Sequence, residues 1–400
     1  MDPTTLGFSL AKLQTLDTIA QYAISNGATP GIALLVAKNG TIIYQKNYGY
    51  YDYTKQQPVS NNSLYDMASV TKICATTLAI MKLYDERKLK LTDTLAQYIP
   101  WVIGTNKANL TVKNILLHQA RLKSYIPFYK EVIDAEGKPL LSIFAKQKNT
   151  NYTLPVADSM YMLTAWRDTM YKRIVDSKLE EPNKYIYSDN DYIFLGLIVE
   201  AISGKPLDVY VADNFYNPMG LNNTGYLPLL KFDKTKIVPT ETEKQFRQQT
   251  LKGYVHDPGA AMFGGVAGHA GLYSTTTDLA VLLQMLLNGG TMYGKRYLQP
   301  QTINLFTSYQ STISRRGYGF DKPEKDNATR KEPYPSSLVS LQAFGHTGYT
   351  GTCVWADPQE QLIFIFLSNR VNPIGGDNTK LLKMNIRGLM QDAIYKAKQQ

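Results

Sequence analysis

Near the start of the chain, apolar residues recur at helical spacing at Leu10, Leu13, Leu16, Ile19, Ala20 and Ala23. This period predicts an amphipathic helix over residues 9–25, with Lys12 facing solvent and Asn26-Gly27 as its stop. The pattern then turns β-like. GIALLVAKNGTIIYQKNYGY reads as two strands joined at Lys38-Asn39-Gly40, where Asn-Gly supplies the tight hairpin turn. Helical spacing returns in YDMASVTKICATTLAIMKLY, residues 65–84, and again in the short amphipathic piece TVKNILLHQARL from Thr111.

From 123 to 184 the periodicity weakens, with prolines at 127, 139, 155 and 182, and an insertion of helices and loops is expected there. KYIYSDNDYIFLGLIVEAISG then predicts a helix from about Asp191 to Ser203, stopped by Gly204. Residues 227–258 are polar and loop-like. GGVAGHAGLYSTTTDLAVLLQMLLNGG gives a glycine-rich turn, followed by a helix starting near Thr277 and ending at Gly289-Gly290. FGHTGYTGTCVWADP and QLIFIFLSNR return to strands, and a final helix is expected over Asn378–Lys396. Strands at both ends with helices between them predict one sheet built from the two termini. The expected lobes are an α/β sandwich from residues 1–90 and 262–400, and a mainly helical insertion over 91–261.

Composition narrows the partners more than the fold. Four hundred residues with 44% hydrophobic and 19% charged side chains are globular and exceed what a single core usually serves. The net charge of +10 suits anionic partners without choosing among them. No dense basic cluster or zinc spacing appears, so nucleic acid is not an expected partner, and neither a metal nor a cofactor is expected. Cys74 and Cys353 lack redox spacing and read as buried free thiols. The stretch MDPTTLGFSL has no basic-then-apolar signal pattern, and the apolar run Leu279–Leu287 is too short for a membrane span.

Candidate chemistry starts with Ser69 and Lys72, which lie one helical turn apart and so share a face. A partly desolvated amine one turn from a hydroxyl can accept its proton. Spacing alone is weak, since Ser9 and Lys12 repeat it without supporting context. Two further triplets supply that context: Tyr187-Ser188-Asp189 and His346-Thr347-Gly348. Taken together with Ser69-Val70-Thr71-Lys72, their order and intervals resemble the penicillin-recognising serine hydrolases, a family of class C β-lactamases, DD-peptidases and related esterases. The segments DMASVTKICATTLAIMKLYDERKLKLTDTLAQYIP, YSDNDYIFLG and HTGYTGTCVWADP carry the likeness across most of the chain.

That resemblance implies a β-lactamase/transpeptidase-like α/β (α+β) fold, with an antiparallel sheet flanked by helices and an inserted helical lobe. It implies an acyl-enzyme on Ser69, with Lys72, Tyr187 and His346 as its catalytic companions. The oxyanion hole would be the backbone N–H groups of Ser69 and Tyr349, and Thr347 and Gly348 would line the substrate strand. Lys72, held near a second cation and away from water, would have a lowered pKa. His346 stands where β-lactamases usually carry lysine; it would bond toward Tyr187 or a substrate carboxylate, with a charge that follows pH. Asp189 replaces the usual asparagine. Ionised, it cannot donate an amide hydrogen bond to substrate; it could pair with Lys72, pair with a cationic substrate group, or be held protonated.

His256, Asp257 and His269 fall in family-like segments and could line the pocket, though loop packing and helix capping account for them equally. The expected function is hydrolysis of a cell-wall-type D-amino-acid peptide, or of a small ester or amide, outside the cytoplasm. A class C-like β-lactamase and a non-catalytic cell-wall-binding or sensor module are the alternatives. The oligomeric state is not legible.

Overall fold

The alternating apolar patterns at the two ends of the chain meet in one sheet. The computed structural model describes residues 3–373 and 378–399. A short helical turn, Leu10–Leu13, leads into α1 (Thr15–Ser25), then strands β1 (Gly31–Lys38) and β2 (Thr41–Gly49). Asn39 and Gly40 both take positive φ in the connecting turn, as a two-residue hairpin loop requires. Helix α2 (Thr77–Asp85) follows the Ser69 segment. The middle of the chain carries β3 (Phe144–Ala145), β4 (Tyr152–Ala157), β5 (Met160–Leu163) and α3 (Asp189–Ser203). The last part supplies α4 (Thr276–Leu287), β6 (Phe344–Thr347), β7 (Cys353–Asp357), β8 (Leu362–Ser368) and α5 (Ile386–Lys396).

The main sheet runs β6-β7-β8-β1-β2, antiparallel throughout. Strand β1 is buried on both faces, which explains its near-continuous apolar run. Ile32, Leu34 and Val36 pack with Leu16, Ala20 and Ile394 on the face covered by α1 and α5. Ala33, Leu35 and Ala37 face the other way, into the core that holds Leu279 and Leu283 of α4. Each fully buried Leu or Ile contributes about 1.5–3 kcal/mol, so a one-residue slip of β1 would misplace several such side chains at once. The register Leu34↔Phe366 and Val36↔Phe364 is thereby fixed.

Several expectations need correction. The first helix is two pieces broken at Gln14, and the last is Lys380–Lys383 and Ile386–Lys396, broken where Asn385 takes a left-handed φ of 48°. Helix α3 begins at Asp189, two residues before the predicted start. The stretch expected to hold only helices and loops contains a small antiparallel sheet, β3-β5-β4. Pro155 made this stretch look like a loop; it is accommodated where the β4–β5 register shifts. Cys74 and Cys353 are free and buried.

Candidate active site

The Ser69 turn is built from a buried carboxylate outward. Ala68, just before the serine, has a left-handed φ of 45°, a conformation that costs a non-glycine residue about 1 kcal/mol. Asp66 holds it there. Its Oδ1 accepts from the Ala68 N–H at 2.8 Å, and its Oδ2 accepts from the His256 N–H at 2.6 Å, so one side chain ties the serine turn to the His256 loop. Burial pushes the Asp66 carboxyl up, against the two N–H donors. Ser69 therefore sits in a 3₁₀ turn, Ala68–Val70, and a π-turn, Lys72–Thr76, precedes α2. The regular helix start expected from the spacing is replaced by two turn types that apolar periodicity does not distinguish.

From the opposite side, the segment after β6 closes directly on this turn. A Cβ on Gly348 would lie 2.2 Å from Thr352 Oγ1 and 2.6 Å from the Met67 carbonyl oxygen, so only glycine fits. Thr350 and Thr352 hydroxyls donate to the Asp66 and Met67 carbonyls at 2.9 and 3.1 Å.

Lys72 is fully buried, and its ammonium has three acceptors for its three N–H bonds: Ser69 Oγ at 2.9 Å, Asp189 Oδ1 at 2.7 Å and the His269 carbonyl at 3.1 Å. This overturns the expected lowered pKa. Burial does act to lower it, but the Asp189 carboxylate and the adjacent Tyr187 outweigh burial and hold the amine charged.

Tyr187 is partly exposed, with its ring centroid 5.0 Å from Lys72 Nζ. Behind it lies His118, from TVKNILLHQARL, a segment read above only for its helical period. The Ile186 N–H donates to the His118 carbonyl at 2.9 Å, and the Ser188 N–H approaches His118 Nδ1 at 3.2 Å. The two rings are 4.6 Å apart. His118 Nδ1 also lies 2.7 Å from Asp191 Oδ2, and burial pushes the imidazole well down and the carboxyl well up, so both are neutral. One histidine thus grips the backbone on both sides of Tyr187.

The pH-following charge expected of His346 is not found. Its Nδ1 donates to the Thr347 carbonyl at 2.7 Å, and its Nε2 faces Arg316 Nη2 at 3.4 Å. Burial first, then Arg316, press its pKa down to about 3, so its charge does not follow pH in the physiological range. The cation at this edge is Arg316, which was missed: SRRGYGF carries no pattern that sets one arginine of the pair apart.

Ser69, Tyr187 and Asp189 open onto a cleft of about 900 Å³, with His346, Thr347, Gly348 and Tyr349 on its other wall. His256 and His269 also line it. The His256 ring stacks on Tyr349 at 5.5 Å, with Nε2 3.1 Å from Glu241, and His269 Nε2 lies 2.8 Å from Asp257. Asp257 also caps the helix Pro258–Met262, and the contact with His269 helps hold its carboxyl low against its burial. The structure brings every predicted site residue to this one cleft or, for Lys72, directly beneath it.

A serine-bearing turn, a buried lysine and an aromatic hydroxyl meet at one cleft, the arrangement expected of a serine hydrolase. A family model described as Beta-lactamase matches residues 16–385, and the chain belongs to that family. A relative from Escherichia coli strain K12, provisionally named D-alanyl-D-alanine carboxypeptidase, is 33% identical over 98% of this chain and 90% of its own length. Among solved structures, the hydrolase EstCE1, described as having promiscuous acyltransferase activity, superposes with a TM-score of 0.69 at 20% identity over 97% of this chain and all of its own. A penicillin-binding protein homologue from Caulobacter crescentus gives 0.67 at 19% identity, covering 98% of this chain and 99% of that one. At those identities the two structures speak for the fold.

Proposed function

We propose that the protein is a carboxypeptidase-type serine hydrolase that releases the terminal D-residue from cell-wall-type D,D-peptides through an acyl-Ser69 intermediate. The observation that carries this reading is the Lys72 ammonium, which donates to Ser69 Oγ and has no N–H left over. A charged amine so engaged has no lone pair for the serine proton, so Tyr187, reacting as its phenolate, takes that proton and becomes the phenol as Ser69 attacks the carbonyl. The tetrahedral oxyanion sits at the backbone N–H groups of Ser69 and Tyr349, and Lys72 offsets the developing charge. Tyr187 returns the proton to the departing amine; water then repeats the sequence in reverse to free Ser69.

The cleft's charges support this substrate class. Arg370 lies 4.7 Å over the Tyr349 ring, and Arg387 donates to the Thr352 carbonyl at 3.1 Å; both line the cleft and suit the free carboxylate of a terminal D-amino acid. The name of the Escherichia coli relative points to the same chemistry. Peptides of this kind occur outside the cytoplasm, and the protein is assigned there. Among the described residues no helix is long and apolar enough to cross a membrane.

Asp189 weighs against an efficient β-lactamase, because a carboxylate already paired with Lys72 cannot donate to a lactam side chain. The test is hydrolysis of an acyl-D-Ala-D-Ala peptide and a short-chain nitrophenyl ester, with Ser69→Ala as control and intact mass after penicillin. Peptide release with a persistent penicillin adduct is expected. Rapid penicillin turnover identifies a lactamase, ester cleavage alone an esterase, and activity surviving in Ser69→Ala refutes the mechanism.

A further inference from the structure

Four charged or titratable neighbours surround Tyr187, one from each element packed against it, and their charges do not cancel. Lys72, from the turn after Ser69, is neutralised by Asp189, itself two residues beyond Tyr187. His118, from the segment after the helix Val112–Leu116, shares its Nδ1 with Asp191, and that pair is neutral. His346, on β6, has its ring 6.0 Å from that of Tyr187 and is neutral as well. Arg316 remains, its guanidinium carbon 5.5 Å from the Tyr187 ring centroid and 5.9 Å from that of Tyr185.

A guanidinium keeps its charge at any pH a protein survives. Arg316 is only 2% exposed, yet among the described residues no carboxylate lies within ion-pair distance of it. Asp321, the acid that weighs most on it, is engaged by Arg315 at 2.8 and 3.2 Å and by the Tyr334 hydroxyl at 2.8 Å. The partners of Arg316 are neutral: it donates to the Tyr185 hydroxyl at 3.2 Å, the Gly319 carbonyl at 3.5 Å and His346 Nε2 at 3.4 Å. A buried charge held by neutral acceptors is kept against its desolvation cost, and its field falls on what lies beside it.

We propose that Arg316 is an electrostatic positioning residue that acts through Tyr187, supplying beside its ring a positive charge that no carboxylate pairs and so stabilising the phenolate that accepts the Ser69 proton. His346 serves as the neutral acceptor that aims it. The proposal rests on the reading of Tyr187 as the proton carrier. Burial is the largest influence on the Tyr187 hydroxyl and pushes its pKa up, while Lys72 and Arg316 pull the other way.

The test is the pH profile of kcat/KM on the nitrophenyl ester for the full chain and three variants. Arg316→Gln should move the acid limb up by about 1 pH unit and lower kcat/KM about tenfold or more at neutral pH, with thermal melting reporting on the fold. Arg316→Lys, which keeps the charge, should leave the limb in place. The double variant Arg316→Gln/His346→Lys, which returns a cation to the same edge from β6, should bring the limb back. An unmoved limb in Arg316→Gln, or no recovery in the double variant, overturns the proposal. Should Arg316→Gln not fold, Arg316→Lys carries the test, and a limb displaced by more than half a unit there overturns it. If the unaltered protein cleaves no ester or peptide, the hydrolase reading has failed instead.

Discussion

Replacing Asp189 with asparagine removes the charge that keeps Lys72 protonated while leaving a carbonyl to accept its hydrogen bond. The pair is 2.7 Å apart, with the lysine side chain fully buried and the aspartate side chain 23% exposed. At an effective dielectric near 20, two charges 4 Å apart interact by about 4 kcal/mol; solvent access to Asp189 and the acceptor that asparagine retains reduce the net loss to about 2 kcal/mol. The sign of the pH dependence follows. In the native protein the folded pKa of Lys72 lies above its unfolded value, so its contribution is fully present below about pH 10 and is lost only in strong alkali. In Asp189→Asn burial is opposed by Tyr187 alone, and the folded pKa falls below the unfolded one. The unfolded chain then binds more protons over the interval between them, and the variant gains stability as pH rises through it. Urea unfolding at pH 7, 8.5 and 10 should therefore show a deficit of about 2 kcal/mol that narrows with pH. The reasoning is refuted by a deficit that stays constant across the three values, or by none at pH 7.

Tyr187→Phe should lower kcat at least a hundredfold with little change in urea midpoint, because only a hydroxyl is removed; retained activity would show the proton passing elsewhere. Gly348→Ala should cost about 1–3 kcal/mol and about a hundredfold in kcat, since its methyl group would press on Thr352 and Met67; a stable, active variant would mean the Ser69 turn can shift. His346 is held neutral by burial and Arg316, with a pKa of about 3 in place of 6.5. Protonation in the unfolded state then erodes stability as pH falls below 6.5, so the native protein should lose about 2 kcal/mol more than His346→Gln between pH 7 and 4.5. Equal losses would show that this imidazole is not kept uncharged.

How much was readable from the sequence depended on whether the signal was local. The hairpin at Asn39-Gly40 and the helix of α4 announce themselves through turn residues and period, and both appear where expected. The Tyr187 and His346 triplets ride on a helix start and a strand that were legible, whereas the Ser69 segment was read as a regular helix start and is a 3₁₀ turn followed by a π-turn. Roles set by contact across the chain were not legible. Lys72 looked like a lysine awaiting a second cation, and its charge state was decided by Asp189, 117 residues away. His346 looked like a pH-sensitive substitute for lysine until burial and Arg316 fixed it as a neutral acceptor. Asp66 stands three residues before the serine in plain view, yet nothing local distinguishes a carboxylate bridging two loops from an ordinary strand-end aspartate. The small sheet of β3 to β5 was hidden by Pro155, whose usual reading as a breaker is correct except at a register shift.

Strand β1 pairs with β8, so the first hairpin is held by residues more than three hundred positions later. During synthesis, β1 and β2 leave the ribosome with one long apolar edge unpaired, and they wait for nearly the entire remaining chain before β8 can cover it. Such long-range pairing is slow to form and leaves an aggregation-prone edge exposed meanwhile. A chain released before Leu362 would carry Ser69, Lys72, Tyr187 and His346 and still lack the strand that joins β1 to β7, and with it β6. Completion of translation is thus a physical precondition for the site, and a partly made molecule has the side chains for hydrolysis without the cleft that brings them together.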